Sequence, residues 1–158
     1  MASPIAVAQA FLDLASDERR RLTNMQLQKL VFFAHGAHLA AYGYPLIDAE
    51  VRAWDFGPVI PPLYERLREY GSGYVDPDLA RGWGGIERAS REHQAVRSVW
   101  EAYRDHSAWS LSSISHQEGS PWDQVWNYGG RYSVIPDGLT RDYYQNRITR
   151  RDTEQRAW

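Results

Sequence analysis

At 158 residues the chain falls in the range of one ordinary domain, and its 43% apolar and 24% charged content argues against wholesale disorder. A net charge of −2 gives no general electrostatic grip on nucleic acid or anionic lipid, so neither is an expected partner. The chain has no cysteine, which removes disulfide frameworks, thiolate zinc sites and cysteine nucleophiles.

The N-terminal residues Met1 to Ala10 lack the basic and long apolar regions of a signal peptide, and no stretch approaches a membrane span in length. A reducing cytoplasm is the expected location. Seven Trp and ten Tyr are the unusual feature, suited to a crowded core or an adhesive interface. Lys29 is the only lysine, so the cationic surface is arginine, the better partner for carboxylates and aromatic faces.

Ser3-Pro4 supplies a cap and a first helical position, and Ile5, Ala8, Phe11, Leu12 and Ala15 follow at helical spacing. Asp17 to Arg21 breaks that pattern as a charged turn. Thr23 to Ala41 is the clearest element: Thr23 and Gln26 form a capping box, and Leu27, Leu30, Val31, Ala34 and Ala41 share a face. Met25, Phe32 and Phe33 widen that face, Gly43 stops the helix, and so apolar a helix is expected at the centre of the domain. Leu46-Ile47 and Val51 to Ala53 read as short extended pieces of a small ribbon, ended by Gly57-Pro58.

Pro61-Pro62 opens another helix with an apolar stripe of Leu63, Tyr64, Leu67 and Tyr70, closed by Gly71. Gly71 to Gly85, rich in Gly, Pro and Asp, is expected to be a long, mobile surface loop. Helices are then expected from about Ser90 to Asp105, from Ala108 to about Ser115, and from Pro121 through Trp126, with a turn at Asn127 to Gly130. Tyr132 to Ile135 reads as a brief strand and Leu139 to Ile148 as the last helix, before a polar tail that is expected to fray. The fold expected is mainly α, a compact multi-helix domain around a central helix with a short β ribbon. Residues 1–148 form the domain and 149–158 the tail.

Leu27-Gln28-Lys29-Leu30-Val31-Phe32-Phe33-Ala34 resembles the L-Q-K-L-aromatic motif of the Panacea, or SocA-like, antitoxin domain of bacterial and phage-associated proteins. In that family the motif helix is followed by Ala-Trp, two residues and Gly-Pro-Val, matched here by Ala53-Trp54, Asp55-Phe56 and Gly57-Pro58-Val59. A later signature is similar to Leu111-Ser112, His116, Glu118 and Pro121-Trp122. The resemblance implies a non-enzymatic protein that neutralises a toxin encoded beside it by direct contact, without a cofactor. One branch of the family delivers its toxin to a Clp-type protease as a proteolytic adaptor. With the domain covering most of the chain, little room is left for an appended DNA-binding module.

On physical grounds the motif residues read as scaffold. Lys29, if buried, needs a carboxylate or carbonyl groups, and bridging to Asp55 or Glu118 is the expectation. Trp54 is expected to plug the core between ribbon and central helix, and His116 with Trp122 to form a corner in which the Trp packs and the His is hydrogen-bonded. Partner contacts are expected at exposed aromatics: Tyr74 and Trp83 in the long loop, and Tyr143 and Tyr144 near the C-terminus.

Catalytic chemistry is weakly supported. His35 and His38 lie three apart on a helix, but two more ligands are needed for a structural zinc site. A hydrolase or metal-dependent enzyme using His116 and Glu118, or His35 and His38, is the most distant alternative; no nucleophile elbow or phosphate loop accompanies them.

Overall fold

A computed structural model describes residues 1–82 and 85–156, with side chains through residue 147. Ser3 Oγ accepts the Ile5 amide and Pro4 opens α1 (Pro4–Asp17), whose buried stripe includes Val7, Phe11 and Leu12. Thr23 and Gln26 form the reciprocal capping box that starts α2 (Asn24–Tyr42), and Gly43 ends it in the left-handed region at φ 80°. Helix α2 is central: it packs against α1, α3 (Pro61–Leu67), α4 (Arg91–Tyr103), α5 (Ala108–Ser115) and α7 (Asp137–Arg156). Phe11, Phe32 and Phe33 are fully buried around it, each contributing roughly 1.5–3 kcal/mol by leaving water.

The sheet has three antiparallel strands in the order β2 (Gly57–Val59), β1 (Val51–Trp54), β3 (Val134–Ile135). In β1–β2 Arg52 faces Val59, Ala53 faces Pro58 and Trp54 faces Gly57, leaving Asp55 and Phe56 as a two-residue tip. The sheet is therefore a tight hairpin plus a short third strand. Gly57-Pro58 does not end the ribbon but forms its second strand. Pro58 is tolerated because β2 is an edge strand, where a missing N–H breaks no ladder on the outer side. Leu46-Ile47 stays outside the sheet, with Ile47 bridged in parallel to Ala2.

The segment after α3 continues as a 3-10 turn, Arg68–Tyr70. The loop beyond Gly71 is tied down over much of its length. Val75 N–H donates to Leu22 O at 2.8 Å, Gln9 spans Pro77 O and Ala80 N–H, and Val75 and Leu79 are buried. Helix α6 (Pro121–Gly129) takes in the residues expected to turn: Asn127 Nδ2 donates to Asp123 Oδ1 one helical turn back, and Trp126 stacks on Trp122. Helix α7 likewise begins at Asp137 and runs to Arg156 rather than ending at Ile148. Among the described residues no helix is long and apolar enough to cross a membrane.

Candidate functional site

The three motif segments meet at the hairpin. An edge strand leaves backbone groups unpaired, and a buried one must find other partners. Four side chains supply partners along the hairpin, at the end of β1, the tip, the edge strand and the residue after it. Trp122 Nε1 donates to Trp54 O at 2.6 Å, Ser112 Oγ to Phe56 O at 2.6 Å, and Lys29 Nζ to Pro58 O at 3.0 Å. Gln28 Oε1 accepts the Ile60 N–H at 3.1 Å. Alternate carbonyls of Trp54, Phe56 and Pro58 are thus latched in turn by α6, α5 and α2. Leu27 and Leu30, on the same helix as the latches, are core residues.

Gly57 makes that approach possible. It has φ 114°, and a Cβ there would stand 2.5 Å from Ser115 Oγ and 3.2 Å from Lys29 Nζ. Val59 beside it is buried, and Ser115 Oγ donates to Ser112 O, completing the polar seam under the strand.

The latched hairpin forms one wall of a cleft of about 650 Å³, within the size range of small-ligand and peptide sites. Met25, Gln28, Lys29, Trp54, Phe56 and Tyr64 line it, with Tyr132 at its side. The Trp54 ring meets Tyr64 edge-on at 4.8 Å and Tyr132 at 5.6 Å. Tyr132 is held there with φ 65°, its amide donating to Ala53 O at 2.8 Å. Phe56 at the hairpin tip is 57% exposed. Trp109, 69% exposed, adjoins the cleft residue Ala108 and lies one helical turn before Ser112. Large aromatics left in water around a concavity are the composition of an interface centre.

Lys29 sits at the back of this cleft, 2% exposed. The expected bridge to Asp55 or Glu118 is not formed. Asp55 instead pairs with Arg131 at 3.4 Å on the surface, and Glu118 is exposed. The edge-strand carbonyl of Pro58 takes the ammonium. Burial lowers the Lys29 pKa from 10.5 to about 7.

Trp54 is half-buried in the cleft wall rather than a core plug, and its Nε1 is buried with no hydrogen-bond partner among the described residues. Trp122 packs as expected, its ring stacked on Trp126. His116, by contrast, sets its ring 5.3 Å from Trp122, and its Nδ1 is buried with no hydrogen-bond partner among the described residues. Pro121 opens α6 under the cap of Ser120.

Of the aromatics expected to contact a partner, Tyr74 is exposed under the Arg21 guanidinium, and Trp83 lies outside the described residues. Tyr143 is half-buried, hydrogen-bonded and covered by Arg147. Tyr144 is not a free surface ring: it packs edge-on against Phe32 at 6.3 Å and over Gly36, and burial holds its hydroxyl pKa well above the ordinary value.

Both ring nitrogens of His35 are engaged, Nε2 with Asp137 at 2.9 Å and Nδ1 by the Ile47 amide at 3.5 Å. His38 donates from Nδ1 to Tyr44 O at 2.8 Å and sits between Tyr42 and Tyr44. Among the described residues no three His, Asp or Glu side chains are grouped to hold a metal. The cleft residues Met25, Phe56, Tyr64 and Tyr132 were not foreseen as a site; the local signal for Phe56 was its place between two strand-like pieces.

Comparison with known proteins identifies the family. The profile of the family described as "Antitoxin SocA-like, Panacea domain" matches residues 27–123, which span the motif helix, the hairpin and the start of α6. The chain is 35% identical over 133 residues to antitoxin SocA of Caulobacter vibrioides (strain NA1000 / CB15N), covering 79% of this chain and 71% of that protein. No solved structure matches. The chain belongs to the SocA-like antitoxins of the Panacea domain family.

Proposed function

We propose that this protein is the antitoxin of a toxin–antitoxin pair and neutralises a toxin encoded nearby by direct contact through the aromatic cleft. The observation that carries the reading is the convergence of all three family motifs on one hairpin, which holds Trp54 and Phe56 against an open apolar concavity. Exposed aromatics around a cleft bind protein by burying area that water otherwise covers. The role proposed is non-enzymatic: both ring nitrogens of His35 and one of His38 are held by internal hydrogen bonds, and the His116 ring packs against Trp122.

Co-expression with the product of the adjacent gene tests it. The neighbour is expected to arrest growth alone, to be relieved by this chain and to co-purify with it. A neighbour that is harmless alone and forms no complex overturns the reading. Toxin abundance then separates two modes: a silent but abundant toxin means masking, and a disappearing one means delivery to a Clp-type protease.

A further inference from the structure

The back wall of the cleft is chemically incomplete. Lys29 Nζ carries three N–H donors when protonated and, among the described residues, makes one hydrogen bond, to Pro58 O at 3.0 Å. Among the described residues no carboxylate pairs with it, although the chain has 20 acidic side chains and Asp55 stands in the same cleft, turned to Arg131. A second cleft residue, Trp54, has its Nε1–H buried with no acceptor among the described residues. Buried donors left without acceptors cost free energy, and a partner that supplies an acceptor recovers it. Met25, Phe56, Val59, Tyr64 and Tyr132 give the cleft its apolar and aromatic surface, and Thr23, Asn24, Gln28, Asp55, Arg68 and Ser72 its polar one.

We infer that the cleft takes an acidic, apolar segment of the toxin, in which an Asp or Glu side chain accepts hydrogen bonds from Lys29 Nζ while the adjoining apolar residue packs between Phe56 and Tyr64. The inference rests on the toxin-binding reading and adds the chemistry of the bound segment. A carboxylate is favoured over a neutral acceptor because a charge-assisted bond inside an apolar cleft is stronger than a neutral one. A side-chain carboxylate is favoured over a chain terminus because Lys29 is 2% exposed, and a flexible arm reaches it while the bound backbone stays in the open part of the cleft. Arg68 at the rim is the other cationic cleft residue and pairs with Glu65 at 3.7 Å.

The test uses the full chain and a displayed library of random heptapeptides whose C-termini are blocked by fusion, with a parallel library presenting free C-termini. Selection on the wild-type chain is expected to enrich, from the blocked library, peptides in which Asp or Glu adjoins a large apolar residue. Replacing that acid by its amide is expected to weaken binding at least tenfold, and Lys29→Met is expected to abolish the difference between acid and amide. Lys29→Arg is expected to keep part of the acid preference. If Lys29→Met fails to fold, the acid-to-amide comparison on the wild-type chain decides.

No enrichment overturns the inference. So does enrichment of acid-free peptides, enrichment from the free-terminus library alone, enrichment of the chain's own segments as in a self-complex, or acid preference unchanged in Lys29→Met. Any of these with growth relief intact removes only the acidic-segment inference. Loss of growth relief by the wild-type chain removes the antitoxin reading itself.

Discussion

The indole N–H of Trp122 donates a 2.6 Å hydrogen bond to the carbonyl oxygen of Trp54, joining two tryptophans 68 positions apart in the chain. Through that bond α6 holds the end of β1, and so the position of the cleft wall. Trp122→Phe keeps much of the ring but leaves the carbonyl without its donor. Stability is expected to fall by about 1–3 kcal/mol, read as a lower denaturant midpoint with an unchanged slope. A variant as stable as wild type would show that the bond does not hold the hairpin.

Gly36 and Tyr144 give a second test, because two effects oppose each other there. On an α-helix, Gly→Ala is normally stabilising by about 1 kcal/mol. Here an added Cβ would stand 2.5 Å from the Tyr144 ring, which must move. Overpacking of this kind costs about 1–3 kcal/mol, so Gly36→Ala is expected to destabilise and to loosen α7 from α2. Combining it with Tyr144→Leu is expected to recover part of the loss. Thermal unfolding of the two single variants and the double variant measures the coupling.

Lys29 sets a pH dependence whose sign is fixed by burial. Its pKa is 10.5 in the unfolded reference and about 7 in the folded protein, so between these values the unfolded state binds more protons. Stability contributed by this group therefore rises with pH from about 7 towards 10, and below 7 the full cost of the buried ammonium is present. Between pH 7 and 9 the expected gain is about 2 kcal/mol. Lys29→Met is expected to remove this slope and to equal or exceed wild-type stability below pH 7, offset by the unpaired Pro58 carbonyl. Urea midpoints of both proteins across this range read it out; parallel curves would contradict it.

Local signals made much of the fold legible in advance. Ser3-Pro4 and the Thr23–Gln26 box are contacts within one turn, so the starts of α1 and α2 are written in neighbouring residues. The end of the last helix was placed too early for the opposite reason. The apolar pattern stops at Ile148, yet Arg150, Arg151, Glu154 and Gln155 are good helix formers, and α7 continues through them.

The site was only partly legible. Resemblance singled out Gln28, Lys29 and Trp122, but their work is done on backbone groups of a hairpin distant in sequence or of the residue after it, and Trp54 lies in that hairpin. Spacing along the chain carries no trace of which carbonyl a side chain will reach. The bridge expected from Lys29 to Asp55 failed on the same ground, since Asp55 turns outward to Arg131 at the hairpin tip. The cleft itself is made by α2, α3, α5 and the hairpin together, and exists only once they pack.

Phe56 is the cleft residue best placed to separate binding from folding. It is 57% exposed at the hairpin tip, so Phe56→Ala is expected to change stability by less than about 1 kcal/mol. Growth relief and co-purification of the adjacent gene's product, measured with wild type and Phe56→Ala at equal expression, test the central claim most directly. Wild type is expected to relieve arrest and retain the toxin, and folded Phe56→Ala to weaken retention at least tenfold and lose relief. A variant that binds and protects as wild type does would place the toxin's grip elsewhere, and a harmless neighbour that never binds would end the antitoxin reading.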